Sequence, residues 1–261
     1  MEEPFSISPN PNFLYLTPGL KTTLIKVKYV IDHRQGLTAI LGDVGMGKSS
    51  IVRKLFGEYV SREDVKAGLI PSPGFATEFA FLKGICKEFD VPFKRSQLDQ
   101  EDVLRAFLID LYQEKQNCVI FIDEAQRLTG KQLEQVRTML NFETNNAKLI
   151  QVVLSGQLEL RDRLRDPSKV AIKSRIFAPS LLDPLSHAET SEMIDFRCKQ
   201  AGLENPFPAK IVEEIYRRTG GVPREVLKVC GLAYGFMQGL GLSEITADLI
   251  DEAFYHQLEV V

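Results

Sequence analysis

The chain has 261 residues, which at roughly 150 residues per domain corresponds to about 1.7 domains, one large or two unequal. Its hydrophobic share of 44% counts Tyr and omits Gly; with 18 Gly in place of 7 Tyr it becomes about 48%, in the globular range, which excludes disordered, collagen-like and coiled-coil chains. Thirty-two Lys and Arg against 35 Asp and Glu leave a net charge of −3, so any polyanion must be met by a local basic patch.

The start, Met1-Glu2-Glu3-Pro4, has neither the basic opening nor the apolar core of a signal peptide. No run approaches the ~18 apolar residues of a membrane span, and a soluble, cytoplasmic protein is expected. Residues 1–19 mix prolines with Phe5, Phe13 and Tyr15, the pattern of an extended arm that packs without a regular element. A helix follows over Leu20–His33. Leu37-Thr-Ala-Ile-Leu41 is a β-branched apolar run ending directly in glycine, a buried strand. Ile51, Leu55 and Tyr59 are spaced for a helix, and a strand is expected near Ala67–Pro71. Helices are expected near Thr77–Phe89 and Gln100–Gln116. Val119–Ile122 and Leu149–Leu154 read as strands separated by a helix over Lys131–Glu143. Strands alternating with helices imply an α/β fold with a doubly wound, largely parallel sheet.

From Ser186 onward the pattern is helical only, over His187–Gln200, Pro208–Arg218, Pro223–Met237 and Thr246–Leu258. A small C-terminal all-helical domain should open near Leu181. Ser186 and Glu189 have capping-box spacing, and Gly202, Gly220, Gly221, Gly239 and Gly241 mark helix ends. Cys86, Cys118, Cys198 and Cys230 form no CxxC pair, and with three His in the chain they read as buried reduced thiols, not a metal site.

Gly42-Asp43-Val44-Gly45-Met46-Gly47-Lys48-Ser49, followed by Ser50, matches GxxxxGK[ST] between an expected strand and an expected helix. Glycines let successive backbone N–H groups turn onto phosphate oxygens, and the helix N-terminus adds positive potential. Lys48 would neutralise β/γ charge and Ser49 would ligand magnesium. Val119-Ile-Phe-Ile122 then delivers Asp123 and Glu124 to the carboxyl edge of the sheet, where ligands bind in open α/β folds. Asp123 can hold magnesium through water, and Glu124 can orient and deprotonate the attacking water.

With the all-helical tail, this spacing resembles an AAA+ ATPase. Pro4-Phe5-Ser6, Pro9, Pro11, Phe13-Leu14-Tyr15-Leu16, Asp123-Glu-Ala-Gln126, Gly156-Gln157-Leu158-Glu159-Leu160 and Asp183-Pro-Leu-Ser186 resemble the ExeA/GspA-type group. That group includes ATPases similar to the transposition regulators TnsC and MuB. The resemblance implies a P-loop nucleotide-binding domain over residues 1–180, with the N-terminal arm, and a helical lid over 181–261. It implies a polar sensor at Ser155, with Gln157 the nearby alternative, and a sensor-two arginine at Arg224 in Gly221-Val-Pro-Arg224. It implies a trans-acting arginine finger at Arg175, with Arg161, Arg163, Arg165 and Lys169 as neighbouring candidates, and adenine contacts from Tyr15 and Leu16.

Three jobs fit such a motor. An ATP-dependent homo-oligomeric ring or filament on duplex DNA, recruiting a transposase, would use Lys94, Arg95 and Ser96 with Lys131 and Arg137 for backbone contacts. A secretion or envelope-assembly ATPase of the ExeA/GspA type would normally continue into a membrane span, which this sequence lacks. A nucleotide-dependent protein-partner switch is the third. The stand-alone motor-plus-lid architecture favours the first.

Overall fold

The computed structural model describes residues 3–8 and 10–258, so Met1, Glu2 and Pro9, all used in the sequence reading, lie outside the described residues. In chain order the elements are α1 (Pro18–Asp32), β1 (Leu37–Gly42), α2 (Lys48–Val60), β2 (Val65–Ile70), α3 (Glu78–Glu88) and α4 (Gln97–Gln113). β3 (Asn117–Ile122), α5 (Gly130–Met139), β4 (Gln151–Gly156), α6 (Leu158–Arg165), α7 (Val170–Lys173) and β5 (Ser180–Leu182) follow. The chain ends in α8 (His187–Gln200), α9 (Ala209–Thr219), α10 (Pro223–Gly239) and α11 (Ala247–Leu258). The strands form one five-stranded sheet in the order β2-β3-β4-β1-β5, with every pairing parallel.

Two compact units divide the chain. The sheet unit comprises Pro18–Asp43 and Ile51–Leu182. Alternation along its strands sends side chains to two faces. Ile120 and Ile122 of β3 join Leu82, Ile85, Leu104 and Leu108 of α3 and α4 in one buried cluster. Phe121, between them, meets Phe56 and Tyr59 of α2, with ring centroids 6.3 Å apart in both cases. Helices on both faces leave β1, β3 and β4 wholly buried, which is why they are near-continuous apolar runs.

The second unit comprises the described residues of Met1–Thr17 with Val44–Ser50 and Asp183–Val261. α8 begins with a complete capping box, Ser186 accepting from the Glu189 N–H while the Glu189 side chain accepts from the Ser186 N–H. Gly220 closes α9 in the left-handed conformation at φ 61°. The N-terminal segment packs on these helices: Phe5 meets Phe207 and Tyr234 edge-on at 5.3 and 5.9 Å. The buried Arg197 Nη1 of α8 donates to the carbonyls of Pro4 (2.9 Å) and Ser6 (3.2 Å). Among its described residues the segment has no regular element apart from a single 3-10 turn at Pro11–Phe13.

Several boundaries differ from the sequence reading. α4 starts at Gln97, before the expected Gln100, because Ser96 caps it by accepting from the Asp99 N–H at 3.1 Å. α5 stops at Met139, short of Glu143, where a turn brings Glu143 into an antiparallel bridge with Lys148. β5 has no counterpart in the sequence pattern, because its three residues are too short for a period and Leu181 is 49% exposed. Leu181, near which the helical part is expected to open, is the middle of a strand paired with β1, and the second unit resumes at Asp183. All four cysteines are buried and unpaired. No helix among the described residues is long and apolar enough to cross a membrane.

Candidate nucleotide site

Parallel strands all end at one edge of the sheet, so Gly42, Asp123 and Ser155 share that edge, Ser155 one residue short of the end of β4. The register sets Ile122 against Leu154, so the next residues, Asp123 and Ser155, face each other. Ser155 is fully buried and its Oγ donates to Asp123 Oδ1 at 2.7 Å. The same carboxylate oxygen accepts the Glu124 N–H at 3.0 Å. Asp123 is thereby fixed in orientation, and the Ser155 proton is committed to it.

Glu124 turns the chain out of β3 in the left-handed region at φ 51°, a conformation that costs a non-glycine residue about 1 kcal/mol or more. Its Oε2 accepts the Gln126 amide at 2.5 Å and lies 3.5 Å from the Gln157 amide. Gln157 is half-buried directly after β4, and its backbone N–H donates to Gln126 Oε1 at 3.1 Å. Sequence reading assigned no role to Gln126. Its signal was the place it holds in Asp123-Glu-Ala-Gln126, two residues after the acidic pair.

In the second unit, the loop after β1 carries Gly45 and Gly47 at φ 83° each, backbone that side chains rarely adopt. Met46 and Lys48 are buried, Gly45, Gly47, Ser49 and Ser50 half-buried, and Asp43 and Val44 exposed. α2 begins at Lys48, so its first-turn N–H groups and dipole face the loop. Arg224, the second residue of α10, donates its backbone N–H to Gly45 O at 3.2 Å and leaves its side chain exposed. Tyr15 packs on Phe196 of α8 at 5.8 Å and its hydroxyl donates to Glu192. That bond, with burial adding to it, pushes the phenol up to about 12. Leu16 beside it is half-buried.

Ser49 and Asp123 offer a hydroxyl and a carboxylate, hard oxygen donors that suit magnesium. No group of three or more His, Cys, Asp or Glu among the described residues could hold a metal by itself.

Arg175 stands elsewhere. Ile176 pairs with Leu37, and the Phe177 N–H donates to Leu37 O at 2.7 Å, so this segment lies at the opening of β1. Gly42 closes that six-residue strand, five steps on and about 17 Å away at ~3.3 Å per residue. Arg175 lines a cavity of about 260 Å³ with Gln35, Gly36, Lys148 and Phe177. Of the neighbouring cations, Arg163 donates to the Gln126 carbonyl at 2.8 Å and Arg161 pairs with Asp162 at 3.1 Å. Arg165 is exposed and Lys169 half-buried.

Lys94, Arg95 and Ser96 are exposed in the loop between α3 and α4, and neither cation has an ion pair among the described residues. Lys131 pairs with Glu78 at 3.5 Å, and half-buried Arg137 pairs with Glu134 at 2.5 Å. A hydrogen bond of 3.1 Å from Gln97 to Gln135 holds the start of α4 against α5, bringing the two basic groups onto neighbouring elements.

The sequence model of the AAA domain matches residues 31–164, slightly more than half of the chain. The chain is 35% identical over 235 residues to General secretion pathway protein A of Aeromonas hydrophila, covering 89% of this chain and 42% of that protein's length. Its fold is similar to the Aeropyrum pernix ORC2 protein in ADPNP and ADP complexes, with TM-score 0.69 and 18% identity over 99% of this chain and 74% of that one. It is similar also to Drosophila ORC bound to DNA, with TM-score 0.71 and 17% identity over 98% of this chain and 64% of that one. A parallel five-stranded sheet, a glycine-rich loop after β1 and an Asp-Glu pair after β3 accord with that match, and the chain belongs to the AAA domain family, as an AAA+ P-loop protein.

Proposed function

We propose that this chain hydrolyses ATP between copies of itself and that the assembled form grips duplex DNA, as a transposition regulator recruiting a transposase. The placement of Arg175 carries the reading. It sits a strand's length from the edge that bears Gly42 and Asp123, too far for its side chain to serve that edge, which fits action on a neighbour's nucleotide. On this reading residues 1–180 form the nucleotide-binding domain and 181–261 its lid, and the protein works in the cytoplasm.

Within the site, the N–H groups of the Gly42–Ser49 loop and the Lys48 ammonium hold the β- and γ-phosphates. Tyr15 and Leu16 hold the adenine. Ser49 and Asp123 hold magnesium, which when bound offsets charge on the phosphates. Glu124 accepts the proton of the attacking water. Ser155 aligns Asp123, and Gln157, half-buried beside Glu124, fits the sensor position better than Ser155, whose proton is already given. Arg224 reaches the γ-phosphate from α10, linking nucleotide state to the helical domain. Lys94, Arg95 and Ser96 meet the DNA backbone, with Lys131 and Arg137 weaker partners because each is already paired.

Electron microscopy with a non-hydrolysable ATP analogue, with and without duplex DNA, tests this. Ordered rings or filaments requiring nucleotide and threaded by DNA are expected. A second reading, a secretion or envelope-assembly ATPase, is favoured by the 35% identity to General secretion pathway protein A. Assembly that ignores DNA would favour it over the first, and nucleotide binding with no assembly would favour a protein-partner switch.

A further inference from the structure

The hydrogen bonds around Gln126 are mutually constraining. Its Oε1 accepts the backbone N–H of Gln157 at 3.1 Å, and a main-chain N–H can only donate. That contact fixes which end of the amide points where, so Nε2 must face Glu124, whose Oε2 accepts it at 2.5 Å. The backbone carbonyl of Gln126 is itself held by Arg163 Nη1 of α6 at 2.8 Å. Gly156 makes room for the arrangement: a Cβ there would lie 3.2 Å from Gln126 Oε1 and 2.7 Å from the Leu160 side chain. The Gln157 N–H thus anchors the side chain and Arg163 its backbone, and one of the two amide N–H donors is directed at a single carboxylate oxygen. Glu124 is half-buried, and its Oε1 has no protein donor among the described residues.

We infer that Gln126 is a positioning residue for ATP hydrolysis, pinning Oε2 of Glu124 so that Oε1 is presented to the attacking water. A carboxylate on a two-carbon stem leaving a left-handed turn has several rotamers, and a general base is effective only when aimed at its proton. Gln126 selects one of them, and Arg163 and Gln157 hold the selector against α6 and the end of β4. The inference rests on the reading of Glu124 as the base.

The test uses the full chain with ATP and magnesium. Gln126→Met keeps length and loses both amide contacts; Gln126→Glu keeps the shape and the acceptor but sets a carboxylate against Glu124. Each should lower kcat about 10- to 100-fold, the order expected when a reacting group is misplaced by about 1 Å, with KM for ATP and affinity for a non-hydrolysable analogue unchanged. Adding Gln126→Met to Glu124→Gln should lower single-turnover hydrolysis no further, an outcome a merely structural role would not give. If either soluble variant keeps or raises kcat while Glu124→Gln loses it, the positioning role is overturned. Further loss in the double variant overturns it as well. If Glu124→Gln itself retains wild-type turnover, the assignment of the base falls first, and the positioning role with it.

Discussion

The backbone N–H of Arg224 donates to the carbonyl of Gly45 at 3.2 Å, tying the first turn of α10 to the phosphate-loop backbone. Gly45 is at φ 83°, and a Cβ there would stand 3.0 Å from both Arg224 Cβ and Val222 Cγ1. Gly45→Ala therefore combines backbone strain with a crowded contact, a cost of about 1 kcal/mol or more. The expected result is a lower melting temperature together with roughly tenfold weaker ATP binding, the equivalent of about 1.4 kcal/mol. Paired thermal melts and calorimetry check it; unchanged ATP affinity would mean the loop binds nucleotide without this tie.

Lys48 is buried at the first position of α2, where on the proposed reading its charge and the helix dipole would act together on the phosphates. Lys48→Ala should abolish ATP binding in calorimetry, and with it any nucleotide-dependent assembly. Wild-type affinity in that variant would mean that the loop is not a phosphate site.

Arg175→Ala should leave ATP binding by the isolated chain intact and reduce hydrolysis in the assembly. Stabilisation of transition-state charge by such fingers is worth about 10³–10⁵ in well-studied phosphoryl transfer. Mixing Arg175→Ala with Glu124→Gln subunits should restore part of the activity at junctions that pair an intact Glu124 with an intact Arg175. No restoration at any ratio would show that Arg175 acts within its own subunit or not at all.

DNA binding should require ATP or its analogue, show little sequence preference and weaken steeply with salt, because repeated subunits sum a few phosphate contacts each. Reversing the charges of Lys94 and Arg95 should weaken binding on all sequences and flatten the salt slope, while ATP affinity stays unchanged. Titration of labelled duplexes at several salt concentrations checks it, and an unaltered slope would move the contact elsewhere.

Much of this was legible in the sequence because it is written in short-range chemistry. Buried parallel strands need apolar runs, so Leu37–Leu41 and Val119–Ile122 are readable as strands, and Gly45 and Gly47 of the loop after β1 sit at positive φ where a side chain would strain. The role of Ser155 was less legible, since only the strand register reveals that its hydroxyl is given to Asp123, 32 positions earlier. The packing of the N-terminal segment on α8 and α10 depends on Arg197 and Tyr234, whose types alone carry no such signal. Short elements such as β5 and α7 have too few residues to show a period.

Single-turnover hydrolysis by Glu124→Gln, measured beside its ATP affinity, tests the proposed mechanism most directly. With Lys48, Ser49 and Asp123 untouched, binding should remain at wild-type strength, and hydrolysis should fall about 10²- to 10⁴-fold, the usual worth of a general base. ATP bound normally and hydrolysed at the wild-type rate would contradict the assignment of Glu124 and the mechanism built on it.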